Sequence, residues 1–175
     1  MEEAARPREI TMRPTLVMVG VALALYVADQ VTKAAITATI PLGGRVDVIG
    51  DLFQLWHARN RGAAFSLLQG ELWLFYVVTA AALVMVAYFH RAFRERTIWI
   101  HVVLGAILAG TLGNFTDRLR LGYVVDFRSV GIGDLRWPTF NVADSSVVLG
   151  ILILVAYLTW TDRRAEQARE HGERE

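Results

Sequence analysis

The sequence predicts an all-α membrane protein built on four transmembrane helices, and its composition and the clustering of its apolar residues carry that expectation. The chain has 175 residues and is 54% hydrophobic, more than an average soluble domain. Those residues come in runs. Leu72–Phe89 is 18 residues long and uncharged, and Thr97–Thr116 holds no Asp, Glu, Lys or Arg. Pro14–Ala28 is uncharged and continues past Asp29 as QVTKAAI, while Val142–Thr161 carries only Asp144. About 20 mostly apolar residues cross the hydrocarbon. The spacing therefore predicts spans at 14–36, 72–90, 97–117 and 142–161, within one integral domain over 1–175.

The first span follows MEEAARPREITMR and could be read as a signal peptide. No clear small-residue cleavage site ends it, and its apolar character persists too long, so it is read as a mature span. Four spans put both termini on one side. That side carries Arg6, Arg8, Arg13, Arg91, Arg94, Arg96, Arg163, Arg164, Arg169 and Arg174. Eight Lys and Arg residues fall on the other side, so the positive-inside rule favours cytoplasmic termini and extracytoplasmic loops at 41–71 and 118–141. The first loop contains RVDVIGDLFQLWHA, β-branched and aromatic with a turn glycine, which suggests short strands. The second holds Pro138 and several glycines and is expected to be irregular or to form short strands. The tail EQAREHGERE reads as a solvated, frayed helix end.

Several chemistries are disfavoured at once. A net charge of +1 gives no reason to expect a nucleic-acid partner. The absence of cysteine excludes disulfides, thiolate catalysis and cysteine–metal clusters. His57, His90, His101 and His171 are scattered with no metalloprotease spacing, and His101, beside Trp99, reads as an interface residue. A Ser66–Lys33 dyad is conceivable, but nothing in the spacing demands it.

What remains is a gathering of polar residues at one end of the bundle. Asp29 and Lys33 are four apart on the first helix and share a face. Asn114, Asp117 and Arg118 lie at i, i+3 and i+4 near the end of the third. Asn141 and Asp144 open the fourth. Alternating span directions bring all of these to one membrane face, and Asp126 in GYVVDFRS follows the third helix closely enough to join them. Each has a plain alternative. Asp29–Lys33 is most simply a structural ion pair, Asn141 serves as an N-cap, and Asp144 suits the positive end of a helix dipole. Arg118 could be an interfacial anchor, but its pairing with Asp117 and Asn114 points to an architectural role in holding a loop. Asp126 tips the balance. Two carboxylates converging in a poorly solvated site cannot easily both ionise, so the pair shares a proton. Such a pair can deprotonate a water and protonate a leaving amine.

DQVTK (29–33), NRGAAFSLL (60–68), GNFTDRLRLGYVVDF (113–127) and FNVADSS (140–146) resemble, in order and spacing, the motif blocks of the lipoprotein signal peptidase family, signal peptidase II. The resemblance implies four transmembrane helices with a small extracytoplasmic β-sheet cradle, in the bacterial inner membrane. It implies an aspartyl endopeptidase that cuts diacylglyceryl-modified prolipoproteins on the N-terminal side of the lipidated cysteine. The catalytic pair would be Asp126 and Asp144. Asn60, Gly62, Asn114, Asp117, Arg118, Asn141 and Ala143 match positions that line or support the site, and Asp29 and Lys33 match structural ones. Arg61, Thr116 and Arg128 fall at positions the motifs leave open. The implied partners are lipidated prolipoproteins, membrane lipids and globomycin-type inhibitors, with no cofactor or metal. The sequence does not set the oligomeric state, and a monomer is the default expectation. The rival readings are a small transporter or proton channel with a carboxylate pathway, and a non-catalytic assembly factor, which would not need paired acids.

Overall fold

The structure is a computed structural model and describes residues 12–62, 72–94 and 97–172. The Ser66 alternative lies outside those residues. The elements run α1 (Arg13–Thr39), β1 (Arg45–Ile49), β2 (Phe53–Asn60), α2 (Leu72–Ala92), α3 (Ile98–Leu121), β3 (Val124–Ile132), β4 (Leu135–Arg136) and α4 (Val142–Gly172). All four helices are long and apolar enough to cross a membrane, α4 over Val142–Arg164. Local chemistry sets their ends. Pro14 stands in the first turn of α1, where its missing N–H costs nothing. Pro41 pushes Ile40 into an extended conformation and stops that helix. Gly122, at φ 75°, closes α3 with a left-handed cap whose N–H reaches the Arg118 carbonyl.

α3 is the central helix, packed against each of the other three. Lipid gives apolar side chains no reason to leave the surface, so Leu16, Val19 and Leu23 on α1 and Leu152, Ile153 and Val155 on α4 stay exposed. Close backbone approach holds the bundle instead. A Cβ on Gly105 would lie 2.6 Å from the Met18 carbonyl oxygen, and one on Gly113 would lie 2.7 Å from Asp29 Oδ2. One buried cluster, Met18, Val86, Ile100, Leu104, Ile107 and Leu154, fills one end of the bundle.

At the other end the strands form one antiparallel sheet in the order β1-β2-β3-β4. β2 and β3 share an irregularity between Leu55 and Ala58, after which Ala58 faces Asp126 and Asn60 faces Val124. Val124, Val125, Asp126 and Phe127 are buried in succession, so this part of β3 is covered on both faces. Ile36, Ile40 and Phe127, with Leu55 and Val142, weld the sheet to the bundle. Phe140 then pairs with Arg128 through backbone hydrogen bonds, N–H to carbonyl in both directions, at 2.8 and 3.1 Å. This bridge delivers the chain into the start of α4 directly beside β3.

Candidate active site

Asn141 caps α4, and the first turn after it reads Val142, Ala143, Asp144. The Asp144 amide donates to Asn141 Oδ1 at 2.9 Å, and Asp144 Oδ2 accepts from the Asn141 amide at 3.0 Å. This is a reciprocal capping box with Asn and Asp in place of the usual Ser/Thr and Glu. The cap nevertheless does more than start a helix. Asn141 Nδ2 also donates to Asp126 Oδ1 at 2.8 Å, so one residue joins the two carboxylates, through its side-chain amide to Asp126 and its backbone N–H to Asp144. The other oxygen of each acid is met as well. Asn60 Nδ2 donates to Asp126 Oδ2 at 2.9 Å, and Asn114 Nδ2 donates to Asp144 Oδ1 at 2.7 Å. Asn114 Oδ1 faces two donors, Asn141 Nδ2 and Lys33 Nζ, which fixes which way its amide points.

The two acids differ in access. Asp126 is only 1% exposed. Asp144 lines a groove of about 1390 Å³ together with Trp56, Asn60, Trp137, Phe140 and Leu149. Burial pushes the Asp126 carboxyl from 3.8 up to about 7, the charge of Asp144 adds to the rise, and the amides of Asn60 and Asn141 oppose it. The folded value lies above the unfolded one. The stability this group contributes is therefore fully present below about 4 and is lost as pH rises through about 7.

Beneath the acids lies a buried charge cluster that sequence reasoning underestimated. Lys33 Nζ lies 2.8 Å from Asp29 Oδ2 and 2.9 Å from Asp117 Oδ2, with all three side chains at most 5% exposed. Asp117 thus pairs with Lys33 of another helix, not with its sequence neighbour Arg118. Asp29 and Lys33 are more than an isolated ion pair. Asp29 Oδ1 accepts the Ala143 amide at 2.9 Å, which ties α1 to the first turn of α4. Asp117 Oδ2 accepts the Val125 amide at 3.1 Å, one residue before Asp126. Gln30, which sequence reasoning missed although it stands in DQVTK, donates to both carboxylates at 3.2 Å. His101 is another correction. It is fully buried, its ring 5.1 Å from that of His90 at 87°, while Trp99 is the exposed residue.

Arg118 has different work. Its guanidinium lies 4.1 Å over the Phe75 ring and donates to the carbonyls of Asn114 and Gly62 at 3.4 Å. The Gly62 amide in turn donates to Asn60 Oδ1 at 2.9 Å. Arg118 thus bridges α3, α2 and the segment that orients Asn60. We expect Arg118→Ala to lower activity with only a modest loss of melting temperature in detergent, and Arg118→Lys to restore it poorly, because an ammonium reproduces neither the planar stack nor the fork of donors. A melting loss as large as that of Lys33→Met would return Arg118 to Asp117.

The residues singled out in sequence thus meet at one end of a four-helix membrane bundle, around two amide-held carboxylates. A family model described as signal peptidase (SPase) II matches residues 21–160. The lipoprotein signal peptidase of Lactiplantibacillus plantarum is 40% identical over 134 residues, 76% of this chain and 87% of that protein. That of Bacillus subtilis is 37% identical over 134 residues, 77% and 87% of the two. A bacterial membrane enzyme solved by the in meso method at 2.3 Å resolution superposes with a TM-score of 0.75 at 35% identity, over 83% of this chain and 90% of that one. The chain is a multi-pass membrane peptidase, and it belongs to the signal peptidase II family.

Proposed function

We propose that this protein is an aspartyl endopeptidase that removes the signal peptide from diacylglyceryl-modified prolipoproteins, cutting on the N-terminal side of the lipidated cysteine. The observation that carries the mechanism is the pair Asp126 and Asp144, joined through Asn141 and held by Asn60 and Asn114. One proton is shared between them. The ionised carboxylate takes a proton from water as the water oxygen bonds to the scissile carbonyl carbon. The protonated one then gives its proton to the leaving nitrogen as the C–N bond breaks, which leaves a carboxylate on the signal peptide and a free amine on the cysteine. Asp144 faces the groove and Asp126 stands behind it, so substrate enters from the α4 side.

The substrate is itself bilayer-borne, through its signal helix and acyl chains, so acids at the end of the bundle stand at the level of its scissile bond. The Arg clusters favour cytoplasmic termini in the bacterial inner membrane, with the pair at the outer face. The test is incubation of the purified protein with a lipidated and an unlipidated prolipoprotein, alongside reporter fusions at residues 55 and 94. Cleavage of the lipidated form alone, inhibited competitively by globomycin, is expected. Equal cleavage of both forms would remove the lipid from the substrate definition, and an outward-facing reporter at residue 94 would invert the orientation.

A further inference from the structure

We infer that the β3–β4 hairpin is a membrane anchor, whose apolar face docks into the lipid leaflet on the sheet's side of the bilayer. Gly133, at φ 56°, and Asp134 form its two-residue turn, and Ile132 pairs with Leu135 across it. The Trp137 amide donates to the Val130 carbonyl, so these residues also stand opposite each other. Side chains two apart on a strand, and directly opposed across a pair, share one face. Within the hairpin that face is therefore Val130, Ile132, Leu135 and Trp137, and Arg128, two residues back along β3, bounds it on the site side. Leu135 is 87% exposed, Ile132 73% and Trp137 64%.

The opposite face carries the polar anchorage of the hairpin. Arg136 donates through Nε to Ser129 Oγ at 2.8 Å and pairs with Asp51 at 3.0 Å, fastening the hairpin to the β1–β2 end of the sheet. The hairpin is thus amphipathic with the period of a strand, and its apolar side is presented outward. A contiguous exposed apolar face marks a docking surface.

Position identifies what covers it. Val130 and Trp137 line the same groove as Val148 and Leu149 of α4. Those two are exposed on a membrane-spanning helix, roughly 10 Å below its start at 1.5 Å per residue. The apolar hairpin face is therefore continuous, across the groove that Asp144 also lines, with the exposed apolar flank of a membrane-spanning helix. A Trp beside a spanning segment, with Arg136 behind it, suits the boundary between headgroups and acyl chains. Because β3 also carries Asp126, such an anchor fixes the height of the acid against the leaflet. The inference needs only the membrane-spanning fold and stands whether or not the two-aspartate mechanism holds.

The chain has no cysteine, so every introduced one is unique. Leu135→Cys and, separately, Ile132→Cys are to be labelled with a nitroxide in the full-length protein, in vesicles of phosphatidylcholine and phosphatidylglycerol. Collision rates with oxygen and with a water-soluble nickel chelate report lipid and water contact. Leu23→Cys on the exposed flank of α1 and Glu166→Cys at the charged end of α4 give the two reference values, and unchanged melting confirms each fold. The expected oxygen-to-nickel ratio at 132 and 135 is several-fold above that at 166 and close to that at 23. A ratio like that at 166 would overturn the anchor. So would shielding from both probes, which would mean that protein covers the face, or shielding that develops only on adding lipidated prolipoprotein, which would make it a substrate surface.

Discussion

Asp126→Asn and Asp144→Asn are each expected to lower cleavage of a lipidated prolipoprotein by roughly 10²–10⁴-fold, the range supplied by general acid–base catalysis. The amide cannot carry the shared proton, so neither variant can both activate water and protonate the leaving nitrogen. Folding should change far less. Each carboxylate accepts one hydrogen bond on each oxygen, and an amide in its place opposes its own N–H groups to one of those donors. Leaving one buried donor unsatisfied in this way costs about 1–3 kcal/mol. At position 126 it is offset above neutral pH, because the variant no longer has to ionise a group whose burial holds it up to about 7. The melting temperature of the parent protein should fall as pH rises through about 7, and that of Asp126→Asn should fall less. Retention of most activity by either variant, with unchanged melting, would remove that residue from the mechanism.

The largest stability effect is expected at Lys33. Lys33→Met keeps the aliphatic bulk but leaves Asp29 and Asp117 buried without their shared cation. Breaking a buried ion cluster by removing one partner costs roughly 3–5 kcal/mol. The damage should also reach the site. Lys33 fixes Asn114, which holds Asp144, while Asp29 fixes the Ala143 amide and Asp117 the Val125 amide. Melting in detergent and cleavage should therefore fall together, with Gln30 unable to substitute because an amide carries no charge. A melting temperature within experimental error of the parent would show that the cluster does not hold the fold through its cation.

The spans were legible because uncharged runs of about 20 residues leave few alternatives. Their ends were less so. The third was expected to stop at 117, where charges begin, yet α3 continues to Leu121, because backbone hydrogen bonding outlasts the hydrocarbon until Gly122 supplies a left-handed stop. Strands in 45–57 were visible in the β-branched, aromatic pattern. β3 was visible only as a short-strand possibility, since Val124–Phe127 is buried on both faces and shows no alternation. The polar residues converge as their helix positions implied, but their pairing did not follow. Asp117 and Arg118 are adjacent, and neighbours in a helix point about 100° apart, so each finds its partner on a different element. The cation that meets Asp117 comes from α1, a tertiary fact with no local signature. Gln30 was overlooked for the same reason.

The central claim, two aspartates sharing one proton, is tested most directly by the pH profile of cleavage of a lipidated prolipoprotein by the purified protein, with and without a metal chelator. A bell-shaped profile is expected, falling at high pH as the pair loses its shared proton, with apparent values that belong to the pair and not to either residue. The chelator should leave every point unchanged. Loss of activity on chelation, restored by zinc, would contradict the two-aspartate mechanism even with cleavage itself confirmed.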